Sequence, residues 1–186
     1  IKIKIVDARK MRKKNIKKTS SLSFLMWVVY HIIRINANEF HQNLKIYADF
    51  SYNKNGKPSV KGKKPFSIAH NDDILAVAVS TEDVGVDIQK KIKFTQKLAK
   101  EICNKEEFEK VMNAEDPALE LTKIWTMKES FAKMKGVAIL QLDVKNILND
   151  AKNCMFNFKQ EGDYVVCECI NHESTEKKPR KVSAKV

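Results

Sequence analysis

Glycine and proline are scarce in this chain, at five and four of 186 residues. With 31% charged and 43% hydrophobic residues, that scarcity argues against a disordered chain and fits a globular protein with a core of its own. No Cys-x-x-Cys pair occurs among Cys103, Cys154, Cys167 and Cys169. The histidines His31, His41, His70 and His172 form no zinc spacing with them. Cys167 and Cys169 alternate on a stretch of strand character, so only a strained bridge would join them. Free thiols in a reducing compartment are expected. The apolar run LSFLMWVVYHII (22–33) falls short of the roughly 20 residues a membrane span needs, and no small-residue cleavage pattern follows it. A buried helix in a soluble, cytoplasmic protein with no membrane partner is the expectation. The chain does not begin with Met, which leaves open a missing or processed N-terminal segment.

Acids are scarce in the first third. Residues 1–64 hold sixteen Lys and Arg against three Asp and Glu, whereas residues 65–186 hold nineteen against twenty. The net charge of +12 therefore arises at the N-terminal end, chiefly in RKMRKKNIKK (9–18). Such a run draws polyanions: nucleic acid, anionic lipid, an acidic protein or a phosphorylated cofactor. It also fits a plain solvated segment.

IKIKIVDA (1–8) alternates with period two and predicts a half-buried strand. Residues 19–35 read as a helix with Thr19, Ser20 or Ser21 as cap. YNKNGKPSVKGKKP (52–65) is rich in turn formers and reads as a loop. PFSIAH (65–70) and ILAVAVS (74–80) read as strands joined by a turn, and VGVDIQ (84–89) as another. Residues 95–113 predict one helix with Leu98, Ile102, Phe108 and Met112 on or near one face. Asp116-Pro117 opens a helix that runs to Gly136, a natural left-handed stop. MFNFKQ (155–160) and YVVCECI (164–170) read as a hairpin, with a frayed polar tail expected beyond. No repeat or linker is visible. The class is α+β with mainly antiparallel strands.

Two segments carry chemistry together. On a strand, Asp87 and Gln89 of GVDIQ share a face. On a helix, Glu129 and Lys133 of WTMKESFAKMKG (125–136) sit one turn apart. If that face meets that helix, Asp87 and Glu129 converge beside Lys133. Two carboxylates and an amide oxygen suit a hard cation such as Mg²⁺, with the lysine neutralising phosphate oxygens. Singly, each feature has an ordinary explanation: an exposed helix ion pair, an aspartate ending a strand, and Trp125 in the core.

In this order and spacing, the two segments resemble the 4′-phosphopantetheinyl transferase superfamily. Its hallmarks are (V/I)G(V/I)D(V/I) and (F/W)xxKE(A/S)xxK. Trp125, Lys128, Glu129, Ser130 and Lys133 match the second motif throughout. NGKP (55–58) and FSIAHN (66–71) are similar to upstream elements of the larger, surfactin-type branch. The 84 residues that precede Gly85 fit that branch better than the shorter carrier-protein synthase branch, whose first motif lies near the N-terminus. The resemblance spans roughly residues 55–136. It implies a 4′-phosphopantetheinyl transferase fold in which two similar α/β halves, approximately 1–83 and 84–186, form a pseudo-dimer within one catalytic unit. The active site would lie between them.

The implied reaction moves the 4′-phosphopantetheine arm of coenzyme A to a serine of an apo acyl or peptidyl carrier protein and releases adenosine 3′,5′-bisphosphate. By this resemblance Asp87 and Glu129 bind Mg²⁺ or Mn²⁺, with Gln89 as a further candidate ligand. Glu129 is also the candidate base, directly or through water, and Asp87, Glu129 and Lys133 form the catalytic set. Lys57, His70, Lys128 and Lys133 are candidate coenzyme A contacts. Arg12, Lys13, Lys17 and Ser20 in the basic run are candidates for its 3′-phosphate. An acidic carrier is the implied protein partner, and a monomer is expected. Two departures stand out. Many relatives have an acid where Gln89 lies, and Ala69 replaces the usual serine before the histidine.

Two other functions compete. A nucleic-acid-binding module would use the basic first third and lose affinity steeply with salt, but no recognised motif is present and aromatics do not interleave the basic run. A non-catalytic relative would bind coenzyme A or a carrier without turnover, and Gln89 motivates that alternative.

Overall fold

Alternation in the first residues produces β1, Lys2–Asp7. In this computed structural model the described residues are 2–7, 50–72 and 74–172. The helix expected over 19–35, the basic run and the polar tail lie outside them. Strand β1 pairs antiparallel with β5 (Ile74–Val79), which also pairs antiparallel with β4 (Phe66–Asn71), giving the order β1-β5-β4. A second sheet has the order β6-β8-β7, from Val84–Lys90, Tyr164–Asn171 and Cys154–Glu161. Every pairing within it is antiparallel. The first sheet thus comes from residues before 84 and the second from residue 84 onward.

The two sheets close on a core in which small residues oppose large ones. Ala69, Ala76 and Ala78 of the first pack against Val84, Val86, Ile88, Val166 and Ile170 of the second. Alanines on one side permit close approach, and burying the branched side chains opposite is worth roughly 1.5–3 kcal/mol each. Polar contacts fix how the sheets meet. The Val86 N–H donates to Ser67 Oγ at 3.0 Å, and Tyr164 OH donates to Asp72 Oδ2 at 3.0 Å. Ala69 is 4% exposed in this core, so its methyl group serves packing.

The helices follow β6. The single helix expected over 95–113 is instead two: α1, Gln96–Ile102, and α2, Lys105–Met112. Asn104 breaks the run by forming a capping box. Its side chain accepts from the Glu107 N–H, while Glu107 Oε2 accepts from the Asn104 N–H. The break shifts the helical phase, so Val111 is buried and Met112 is exposed, contrary to the expected face. Helix α3, Pro117–Lys135, starts at the Asp116 cap and stops at Gly136, whose φ is 68°, as its sequence predicts. Unlike a surface helix it is buried on most sides, including Leu121, Ile124, Thr126, Lys128, Ser130 and Phe131. Trp125 packs on the cluster formed with α1 and α2, the core role expected of it.

The stretch read as a loop over 52–65 contains strand. Phe50–Tyr52 (β2) pairs with Pro58–Val60 (β3) in a separate two-stranded hairpin. Three residues are too few to show a period, and the pairing is made across the turn. Two 3₁₀ turns, Ile139–Gln141 and Ile147–Asp150, lead from α3 to β7. No helix of the described residues is long and apolar enough to cross a membrane.

Candidate active site

Strand β6 and helix α3 touch at Gly85. A Cβ there would lie 1.9 Å from Ser130 O and 2.4 Å from Met134 N, distances at which only glycine fits. Because side chains alternate, Gly85, Asp87 and Gln89 share the strand face turned to α3. The close approach at Gly85 therefore presses Asp87 against the helix stripe that carries Glu129 and Lys133.

Asp87 is 6% exposed. Lys133 Nζ donates to its Oδ1 at 2.5 Å, while its Oδ2 is buried with no hydrogen-bond partner. Burial pushes the Asp87 carboxyl above the usual carboxylate range, and the Lys133 ammonium, with a smaller contribution from the Ile88 N–H, only partly offsets this. Glu129 is half-buried, and its pKa is raised by burial first and by the Asp87 charge second, again partly offset by Lys133. Two carboxylates thus face one ammonium, leaving an acidic excess and an unsatisfied buried oxygen.

That donor set fits a divalent cation. Mg²⁺ is commonly held by one or two carboxylates, with water and phosphate completing its shell. Asp87 and Glu129 are the residues that would hold it, and Gln89 lies half-buried two positions beyond Asp87 on the same face. Among the described residues no group of three His, Cys, Asp or Glu side chains forms a metal cage. Thiolate chemistry has no support nearby, because burial pushes Cys167 up to about 12 and Cys103 up to about 11. All four cysteines are free.

Other candidates fall elsewhere. Lys128 is 0% exposed. Its ammonium donates to Ile102 O, Val144 O and Lys145 O at 2.9, 2.8 and 3.3 Å and pairs with Glu107 at 2.6 Å. With all its donors engaged inside the protein, it has none to offer a coenzyme A phosphate. The expected contact gives way to a structural tie among α1, α2 and the segment after α3. Lys57 Nζ donates to Val84 O at 3.3 Å and Met134 O at 2.8 Å, and burial lowers its pKa. His70 is exposed near the end of β4. Arg12, Lys13, Lys17 and Ser20 lie outside the described residues. A groove of about 340 Å³ is lined by Lys57, Lys63, Lys64 and Lys135 with Asp83.

Sequence reasoning missed Asn53 and Asn55, whose side-chain amides donate to Gly136 O at 2.8 and 3.0 Å. No local signal marks a contact across 83 and 81 residues. It also missed Glu168, a second buried carboxylate whose Oε1 has no partner. Glu168 shares its strand face with Val166 and Ile170, on the side of the sheet away from Asp87.

Residues 83–180 match the sequence pattern of the family described as the 4′-phosphopantetheinyl transferase superfamily. The chain is 31% identical over 91 residues to the 4′-phosphopantetheinyl transferase gsp of Aneurinibacillus migulanus, covering 47% of this chain and 38% of that protein. It is likewise 31% identical over 97 residues to the L-aminoadipate-semialdehyde dehydrogenase-phosphopantetheinyl transferase of Saccharomyces cerevisiae, covering 45% and 36%. The matched stretch thus spans less than two fifths of either curated relative. Residues 83–180, which match the family, contain β6 and α3, the two elements that hold Asp87, Glu129 and Lys133. With more than half its length matched and an antiparallel α+β fold of the expected class, the chain belongs to the 4′-phosphopantetheinyl transferase superfamily.

Proposed function

We propose that this chain transfers the 4′-phosphopantetheine group of coenzyme A to a serine of an apo acyl or peptidyl carrier protein. The observation that carries this reading is the convergence of Asp87, Glu129 and Lys133 across the Gly85 contact. The serine oxygen forms a bond to the phosphorus that bears the pantetheine arm. The bond from that phosphorus to the bridging oxygen breaks, and adenosine 3′,5′-bisphosphate leaves with the electron pair. Glu129 takes the serine proton. Its raised pKa brings it nearer neutrality than an ordinary carboxylate, as a general base requires. Lys133 spreads positive charge towards the phosphate oxygens, and Asp87 holds Lys133 in place. A divalent cation bound by Asp87 and Glu129 would neutralise pyrophosphate charge. Lys63, Lys64 and Lys135 of the groove, with the exposed His70, are where the nucleotide phosphates would find positive or donor groups.

Purified chain incubated with coenzyme A, Mg²⁺ and several apo carriers should add the arm to the carrier serine, read as a mass gain. No gain on any acyl or peptidyl carrier would overturn the reading. The neutral Gln89 beside the two carboxylates favours one second reading, a relative that binds without turnover. Coenzyme A binding in a metal titration, with no metal-dependent transfer, would select it.

A further inference from the structure

Helix α3 ends in a Schellman motif, with the Val137 N–H donating to Ala132 O and the Gly136 N–H to Lys133 O, both at 3.1 Å. Those bonds leave the carbonyls of Met134 and Gly136 without helical donors. The β2–β3 hairpin supplies them. Lys57 Nζ donates to Met134 O, and Asn53 and Asn55 both donate to Gly136 O. Lys57 Nζ also reaches Val84 O, so one ammonium spans strand β6 and helix α3 on either side of the Gly85 contact. The hairpin is itself stiffened for this. Asn53 Oδ1 accepts from the Asn55 and Lys57 N–H groups at 2.9 and 2.8 Å, and Gly56 turns the chain at φ 83°. A cation at the C-terminal end of a helix also meets the negative pole of its dipole.

We propose that Lys57, Asn53 and Asn55 are positioning residues for the transfer reaction, forming a clamp that sets Lys133 and Glu129 against Asp87. This rests on the proposed function. It assigns Lys57 to alignment of the site and not to binding a phosphate. The ties fall on Val84, three residues before Asp87, and on Met134, next to Lys133. Releasing them frees both sides of the carboxylate–ammonium cluster. An alignment role reduces turnover with little change in affinity, whereas a phosphate contact weakens coenzyme A binding.

The test is steady-state kinetics on the full chain with coenzyme A and an apo carrier. In Lys57→Met, kcat should fall about tenfold or more while the KM for coenzyme A stays within about twofold. A raised KM with unchanged kcat would make Lys57 a ligand contact and overturn the clamp. Should Lys57→Met fail to fold, Asn55→Ala removes one of two donors to Gly136 O and should lower kcat in the same direction, by less. Unchanged kcat in a folded Asn55→Ala counts against the proposal. Amide exchange on the ligand-free chain supplies a readout independent of turnover. The Gly136 and Val137 amides should exchange faster in the variants than in the unmodified chain, and identical rates would sink the clamp. Absence of transfer by the unmodified chain would instead remove the functional reading and leave the exchange data to judge the clamp.

Discussion

Lys128 and Lys133 sit five residues apart on α3, yet they have opposite surroundings. Lys128 is sealed among three carbonyls and the Glu107 carboxylate, while Lys133 is partly exposed beside Asp87. Removing one partner of a buried pair leaves the other uncompensated, so Lys128→Met should lower stability by about 3–5 kcal/mol in denaturant unfolding. Glu129→Gln should do the reverse. It deletes a like charge beside Asp87, so the metal-free thermal midpoint should hold or rise while kcat drops about 100-fold or more. Near-normal turnover in Glu129→Gln would refute its assignment as base. Acid titration follows with a definite sign. Burial raises the folded pKa values of both Asp87 and Glu129, so above the ordinary value near 4 the folded chain binds more protons than the unfolded one. This contribution to stability therefore falls as pH rises through that window and recovers as pH drops back. Turnover should climb over the same window as Glu129 ionises. Thermal midpoints and kcat/KM measured against pH should slope in opposite directions, with a flatter stability slope in Glu129→Gln.

At the scale of elements, the site depends on how closely α3 lies on β6. Gly85→Ala places a methyl group within 1.9 Å of a backbone oxygen, which the helix can relieve only by moving away. The expected loss is about 1–3 kcal/mol of stability, as for overpacked cores, with turnover falling further than stability because Asp87 and Lys133 separate. Wild-type turnover in Gly85→Ala would show that the contact does not set the site. The helices before α3 meet a different constraint. The Asn104 capping box ends one and starts the next, and it holds the Glu107 carboxylate that also receives Lys128. Asn104→Ala should therefore cost about 1 kcal/mol through the lost cap, measured by thermal unfolding, while kcat stays near wild type.

Over the whole molecule, two three-stranded antiparallel sheets close on an alanine-lined core, and α3 with its carboxylates packs on the outer face of the second. The clamp hairpin precedes β4 of the first sheet in the chain and grips the end of α3. Contacts from before residue 84 thus reach the helix that carries Glu129 and Lys133. A ligand that binds only the folded chain stabilises it by mass action, about 2.7 kcal/mol at a hundred times its dissociation constant. Saturating Mg²⁺ should accordingly raise the thermal midpoint of the full chain, and Glu129→Gln should lose most of that increment. An equal increment in both would place the cation elsewhere.

Local grammar by itself determined much of this protein. Alternation marked β1, turn residues marked the β4–β5 and β7–β8 hairpins, and Asp116-Pro117 with Gly136 set the limits of α3. Each signal lies within a few residues of the structure it specifies. The motif spacing also pointed to Asp87, Glu129 and Lys133 as one site. The Asn104 box was equally local, but continuous apolar periodicity over 95–113 obscured it. What only the tertiary structure decided were interactions between distant segments: the 1.9 Å contact that makes Gly85 obligatory, the enclosure of Lys128, and the engagement of Lys57 with backbone carbonyls. A lysine's chemistry is the same in every sequence, and whether it serves a ligand or the fold depends on which acceptors the folded chain brings to it.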